Sequence, residues 1–489
     1  MKISAAVALL AALAALSTVG RNPLGAQDPP PPPEPAVAYM VGKGAVADLY
    51  GTLCASCHGA NLAGDRSSSL LDDTWMFGSD DKSLAASIRE GHPSAGMPPF
   101  KAALDERQIA SLVVFIREQA GASRQQALAA PTVEIGRVFA SERQAFRLET
   151  VVDGLETPWG LEFLPDGRLI FTEREGRLRI ATLGRPGATE ITGLPKPWVM
   201  QDGGLMDLAL HPDYAKNGWI YLGYSEAGGP PGASDTVIVR GRLRDAQWVD
   251  QEILFRASPE LYWADNTHFG LRFLFDRQGN LFYSIGDRGH QADAQSLANP
   301  HGKIHRIKDD GKVPDDNPFV GRPGALASIW SYGNRNVQGM AWHPVTGAFF
   351  ATEHGPRGGD ELNHIEKGRN YGWPAITYGI NYDGTPVSDK TEAPGMEQPV
   401  LQWTPSIGAC GIAFYTGDKF PAWKNDLFAT GLVGKQLLRL TLDGDRVTHG
   451  EVLFKGSRVR DVVQGPDGYL YVALNNPGRI VRLVPVKAE

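Results

Sequence analysis

The chain has 489 residues, 42% hydrophobic and 21% charged, with 57 glycines and 35 prolines. That apolar fraction fills sizeable cores and excludes a largely disordered chain, and so much glycine and proline favours turn-rich strand structure over helix. A net charge of −7 shows no basic excess and excludes a nucleic-acid footprint, and three cysteines are too few for a disulfide framework.

Met1 and Lys2 precede an Ala/Leu-rich run to about Val19, a signal-peptide pattern over residues 1–26 with a loosely specified cleavage site near Gly25–Ala26. An uncleaved membrane anchor is the alternative, since the run lies at the lower edge of what spans a bilayer. Both readings place the mature protein outside the cytoplasm, periplasmic or secreted. Residues 27–36, with the run QDPPPPPEP, form an extended Pro-rich linker.

Residues 37–120 read as a small all-α domain. Near its end Leu104, Ile109, Leu112, Val113 and Ile116 share one helical face, with Asp105 as N-cap. Within it Cys54-Ala55-Ser56-Cys57-His58 is a C-x-x-C-H sequence. Two thiols at this spacing on one helical turn reach both vinyl groups of a haem, and the adjacent histidine falls under the iron. A redox dithiol or half a zinc site are the alternatives, but the third cysteine, Cys410, lies far along the chain and reads as a small buried hydrophobe. Met97, in the loop Gly96-Met97-Pro98-Pro99, is the candidate sixth ligand of the haem iron. His92 is a weaker competitor, and Met76, between Trp75 and Phe77, is expected to pack in the core. The segment resembles class I cytochrome c in its attachment motif, its late methionine loop and its closing helix.

Residues 121–145 are polar and Ala/Gln-rich and read as a linker with some helix. From 146 to 487 one theme recurs six times: LPDGRLIFTE (164–173), HPDYAKNGWIYLGYS (211–225), DRQGNLFYSIGD (276–287), HPVTGAFFATEHG (343–355), FPAWKNDLFATGL (420–432) and GPDGYLYVAL (465–474). Each is a tight turn entering an apolar strand. Six copies at spacings that fit four-stranded sheets predict an all-β six-bladed β-propeller behind the all-α domain.

Polar clusters at the ends of apolar strands are then expected to converge at one end of the central channel. They are Asn266-Thr267-His268-Phe269, Gly286-Asp287-Arg288-Gly289, Ser331 to Asn336, and Glu353 to Glu361. Histidine, arginine and carboxylate together suit an acidic ligand and a hard cation.

The runs RNVQGMAWHP, EHGPRGGDELN, KGRNYGWP and SRVRDVVQGPDGYLYV resemble the soluble aldose (glucose) dehydrogenases that use pyrroloquinoline quinone (PQQ), over nearly all of residues 146–487. The resemblance implies His268 as catalytic base, Asp287 as the acid that orients it, and Arg335 and Asn336 as contacts to the quinone carbonyls. It implies Arg458 and Arg460 facing the PQQ carboxylates, the carbonyls of Gly355 and Pro356 holding a Ca²⁺ on PQQ, and Glu361 and Tyr371 at a second, structural Ca²⁺. The function implied is oxidation of aldoses at C1 to lactones, with electrons passing to haem c and an external acceptor. A Ca²⁺-dependent propeller lactonase and a non-enzymatic binding platform are the alternatives. Asp202, Thr267, Leu271 and Val433 depart from the family pattern and are expected to touch cofactor anchoring and the sugar pocket.

Overall fold

The computed structural model describes residues 45–72, 74–127 and 132–486. The expected signal segment and Pro-rich linker lie outside the described residues, and those described belong to one unit.

Four helices build the first domain: α1 (Ala45–Leu53), α2 (Ala55–His58), α3 (Asp81–Glu90) and α4 (Glu106–Ala127). The α4 start is a capping box. Asp105 Oδ1 accepts the Gln108 amide at 2.8 Å, and Gln108 Oε1 accepts the Asp105 amide at 3.0 Å. Asp80 caps α3 in the same way on the Ser83 amide. The predicted face of α4 is buried, with Leu104, Ile109, Leu112, Val113 and Ile116 packed on Val46 and Tyr50 of α1 and Leu84 and Ile88 of α3.

Six antiparallel sheets follow, arranged as blades 1–6. Their innermost strands are Pro158–Phe163, Leu205–Leu210, Phe273–Phe275, Val337–Trp342, Ala409–Phe414 and Arg458–Gln464. Each contacts the next, and the last contacts the first, so the ring is closed. All six turn motifs occupy the same place, the turn from a blade's first strand to its second. The second strands are Leu169–Glu173, Ile220–Ala227, Asn280–Ile285, Phe349–Glu353, Leu427–Gly431 and Leu470–Asn475.

Closure joins the two ends of the propeller segment. Phe146–Leu155 pairs with Gly478–Pro485, Thr150 opposite Val481, so blade 6 draws strands from both. Hydrogen bonding along this ladder removes the free edge an open ring would expose.

The 121–145 segment holds both helix and strand. Helix α4 continues through it to Ala127, and Val138–Phe139 adds a fifth strand to blade 6. Phe139 is fully buried and stacks on Phe146 at 5.2 Å. Burial of one aromatic ring, not strand periodicity, anchors this piece.

Candidate active site

In each blade the start of the first strand and the end of the second lie at the same end. His268 precedes blade 3 and Asp287 follows its second strand. Arg335 and Asn336 precede blade 4, and Gly355 and Pro356 follow its second strand. Arg458 and Arg460 open blade 6. The topology therefore brings residues from distant parts of the sequence to one rim.

At its centre His268 Nδ1 lies 2.6 Å from Asp287 Oδ1. The other carboxylate oxygen accepts the Trp373 indole N–H at 2.7 Å, and the Gly289 amide donates to Oδ1 at 3.0 Å. Burial alone would raise the Asp287 carboxyl, but the His268 hydrogen bond and the charges of His268 and Arg335 hold it at about 2. A permanent carboxylate on Nδ1 fixes the tautomer and leaves Nε2 as the basic nitrogen. Backbone geometry presents the ring: His268 has φ +50°, Asp202 accepts its amide at 3.2 Å, and a Cβ on Gly286 would collide with the His268 carbonyl and Asn336 Oδ1. The sequence marked Asp202 only as a departure and did not mark Trp373 at all. Both prove to position the histidine.

Arginines converge beside this dyad. Arg335 donates to the Gly355 carbonyl at 2.7 Å and the His354 carbonyl at 3.1 Å, and lies over the Trp373 ring at 5.3 Å. Arg460 donates to Gln338 at 3.1 Å. The Nε atoms of Arg335 and Arg460 are buried and have no hydrogen-bond partner among the described residues. Burial holds the His354 imidazole well below the usual range, and the nearby charges of Arg460, Arg335, His268 and Arg458 push it the same way. Orphaned arginine donors in so basic a recess fit a multiply anionic ligand. The side-chain oxygen of Asn336 is committed to the Gly270 amide and Gln338, so only its amide nitrogen can face a ligand. Cys410 is fully buried as expected, but it touches His354 Nε2 at 3.5 Å and Arg460 at 3.6 Å.

A small adjoining cavity is lined by Arg335, Glu353, Gly355, Glu361, Tyr371 and Trp373 among others. Burial pushes Glu353 up to about 7 and Glu361 well above the usual carboxylate range, with the charge of Glu353 adding to the strain on Glu361. A divalent cation would relieve that strain. Among the described residues no three His, Cys, Asp or Glu side chains form a cation cluster, so a cation here would lean on carbonyl oxygens. Two of the expected ligands already have partners: Gly355 O takes Arg335, and Pro356 O takes Ser406 at 3.3 Å. The Tyr371 hydroxyl donates to the His364 carbonyl at 2.6 Å and accepts the Glu366 amide at 2.8 Å. Any part it plays toward a cation falls to its own carbonyl.

Leu271 does not line a sugar pocket. Its side chain is fully buried against Gly223 in the core between blades 2 and 3. A serine or glycine there would leave a void, so the departure is one of packing.

In the helical domain, Cys54, Cys57 and His58 lie on one turn, and His58 Nδ1 faces the Ser68 carbonyl at 3.1 Å, which orients the ring through its far nitrogen. Burial and the neighbouring Cys57 push the Cys54 thiol up to about 11, and both cysteines are free thiols. The Met97 side chain packs partly against the core, whereas the His92 ring stacks on Phe77 at 3.6 Å and meets Ser87 Oγ at 2.9 Å. Met76 does not pack in the core as expected; it is 74% exposed. Among the described residues no helix is long and apolar enough to cross a membrane.

Comparison with known proteins accords with both parts. Residues 155–482 match the family model described as glucose/sorbosone dehydrogenase, and residues 44–116 match that of cytochrome c oxidase, cbb3-type, subunit III. The chain is 41% identical to the aldose sugar dehydrogenase YliI of Escherichia coli over 74% of its own length and 99% of that protein. A crystal structure of a glucose dehydrogenase superposes with TM-score 0.66 at 42% identity, covering 70% of this chain and 99% of that one. The PQQ-bound aldose sugar dehydrogenase of Streptomyces coelicolor superposes with TM-score 0.58 at 29% identity, covering 70% and 98%. The chain belongs to the glucose/sorbosone dehydrogenase family and is an oxidoreductase.

Proposed function

We propose that the protein oxidises aldose sugars at C1 to lactones with PQQ in the propeller recess, and hands the electrons through its own haem c to an external acceptor outside the cytoplasm. The observation that carries this reading is the His268–Asp287 pair, 2.6 Å apart, beside two buried arginine donors without partners. PQQ, when bound, supplies a two-electron acceptor. Arg335, Arg458 and Arg460 hold its anionic groups, with the Asn336 amide nitrogen beside them. His268 Nε2 takes the proton of the C1 hydroxyl, and Asp287 stabilises the imidazolium that results. Gly355, Pro356, Glu361 and the Tyr371 carbonyl would hold Ca²⁺, with Arg335 beside the Gly355 carbonyl. Cys54 and Cys57 anchor the haem, with His58 and Met97 on its iron. Oxidation of each aldose to its lactone releases two protons and two electrons, and a haem held there would supply a one-electron acceptor. The name of the Escherichia coli relative supports an aldose substrate, and the PQQ-bound form of the Streptomyces protein supports PQQ as the cofactor.

The test is to add Ca²⁺ and PQQ to the apo-propeller of the full-length haem protein and follow haem absorbance after adding glucose or galactose. Haem reduction that needs both PQQ and sugar is expected. A haem that stays ferric while PQQ is bound would sink the proposal, and activity without PQQ would favour a hydrolase.

A further inference from the structure

The helical domain meets the propeller rim beside the candidate active site, through residues that the proposed reaction does not use. Glu118 of α4 and Arg357 form an ion pair, Arg357 Nε reaching both carboxylate oxygens at 3.0 and 3.2 Å, with side chains 0% and 5% exposed. Arg357 directly follows the Gly355-Pro356 turn. Its backbone exchanges two hydrogen bonds of 2.9 Å with Ile380, and the Ile380 side chain is buried in the core of the helical domain. Close approach is built in. A Cβ on Gly121 would collide with Pro405, and Gly358 faces Val114 of α4. At the edge the Ala45 amide donates to the Asp383 carbonyl at 3.1 Å, while the exposed Lys82–Glu392 pair adds little. Burial pushes the Glu118 carboxyl up to about 7 even though Arg357 pulls it down.

A domain that shuttles on a tether has a small, wet contact surface. Here a charge from each side is desolvated, and such a pair tolerates one register only, because a lone partner would remain buried and uncompensated. We propose that Glu118–Arg357 is a lock that keeps the haem domain seated on the Gly355–Arg357 turn, so that electrons cross in the docked state and not by release and return of the domain. The crossing rests on the function proposed above; the lock does not.

The experiment uses the full-length holoprotein and Glu118→Gln. Hydrogen exchange at the Gly359 and Ile380 amides is the first readout, taken without sugar. Removing one partner of a buried pair should raise that exchange by about 10²-fold or more. Sugar-driven reduction of a small dye should stay at the wild-type rate while sugar-driven haem reduction slows. The double variant Glu118→Leu/Arg357→Met, which fills the space with apolar side chains, should restore protection and haem reduction together. Should Glu118→Gln fail to fold, Glu118→Asp retracts the charge by one methylene and is expected to shift the same readouts in the same direction. Unchanged exchange, or released exchange with haem reduction still at the wild-type rate, would overturn the proposal. Lost protection in the variant, with wild-type haem that aldose never reduces, would uphold the lock and sink the sugar reaction.

Discussion

His268 has two supports that differ in kind, and they separate experimentally. Its ring is held by Asp287, and Asp287 is held by Trp373. His268→Ala removes the base and should lower sugar-driven haem reduction by roughly 10²–10⁴-fold with little change in PQQ affinity, since arginines and cation hold the cofactor. Trp373→Phe removes one hydrogen bond to a buried carboxylate and should lower kcat by about tenfold. Stopped-flow absorbance of the haem measures both, and equal rates for wild type and His268→Ala would remove His268 from the mechanism. Asp287 also makes a pH prediction. Its folded value of about 2 lies below the ordinary aspartate value, so its contribution to stability is full above about pH 4 and is lost as pH falls through about 2. The acid limb of the rate profile between pH 4 and 8 therefore does not belong to Asp287. In Asp287→Asn the plateau should fall, because the ring loses the carboxylate that fixes its tautomer and stabilises its protonated form; an unchanged plateau would contradict this assignment.

At the scale of elements, what the sequence makes legible is what repeats. The six turn motifs mark the same turn in six blades because a tight reversal needs Pro, Asp or Gly at fixed offsets wherever it recurs. Asp105 and the apolar face of α4 are legible for the same reason, since capping and helical period are local properties. Phe139 is not, because a two-residue strand has no period and its stability comes from Phe146, on the strand it pairs with, and from Phe454, distant in sequence. Phe139→Ala should cost about 3–5 kcal/mol, read as a lower calorimetric midpoint of the propeller. A midpoint equal to wild type would show that the fifth strand is ornamental. Met76 shows the opposite failure: aromatic neighbours suggested burial, yet Trp75 and Phe77 leave it exposed. Haem ligation separates the two methionines. Met97→Ala should keep covalent haem but shift its spectrum and lower its reduction potential, whereas Met76→Ala should change neither. The reverse result would exchange their roles.

The six blades close into a ring, the rim that carries the candidate site is assembled from blades 3, 4 and 6, and blade 4 carries most of the linkage. Its strands and loops carry Gly355 and Pro356, the proposed cofactor turn, Glu361 and Tyr371 beside the small cavity, and Arg357 and Ile380 against the helical domain. Asp202, Trp373 and Glu118 were illegible as site residues because each acts through a contact made only in the folded chain. A cation in this cavity would thus bear on catalysis and on folding at once. Glu353 and Glu361 are carboxyls under strain from burial, and a ligand that relieves them binds the native state and not the unfolded chain. Such a ligand stabilises by mass action, about 2.7 kcal/mol at a hundred times its dissociation constant. Chelating Ca²⁺ should therefore lower the propeller midpoint and abolish sugar-driven haem reduction together, and adding Ca²⁺ back should restore both. Glu361→Gln removes one of the carboxyls that burial raises and leaves the residues of the cofactor turn unchanged. It should blunt the Ca²⁺ response of the midpoint while the response of PQQ binding persists. Calorimetry with and without chelator, after long equilibration, measures the first effect and PQQ titration the second. Full sugar oxidation in excess chelator would argue against Ca²⁺ in either role, and a midpoint indifferent to Ca²⁺ with activity lost would confine the cation to the cofactor.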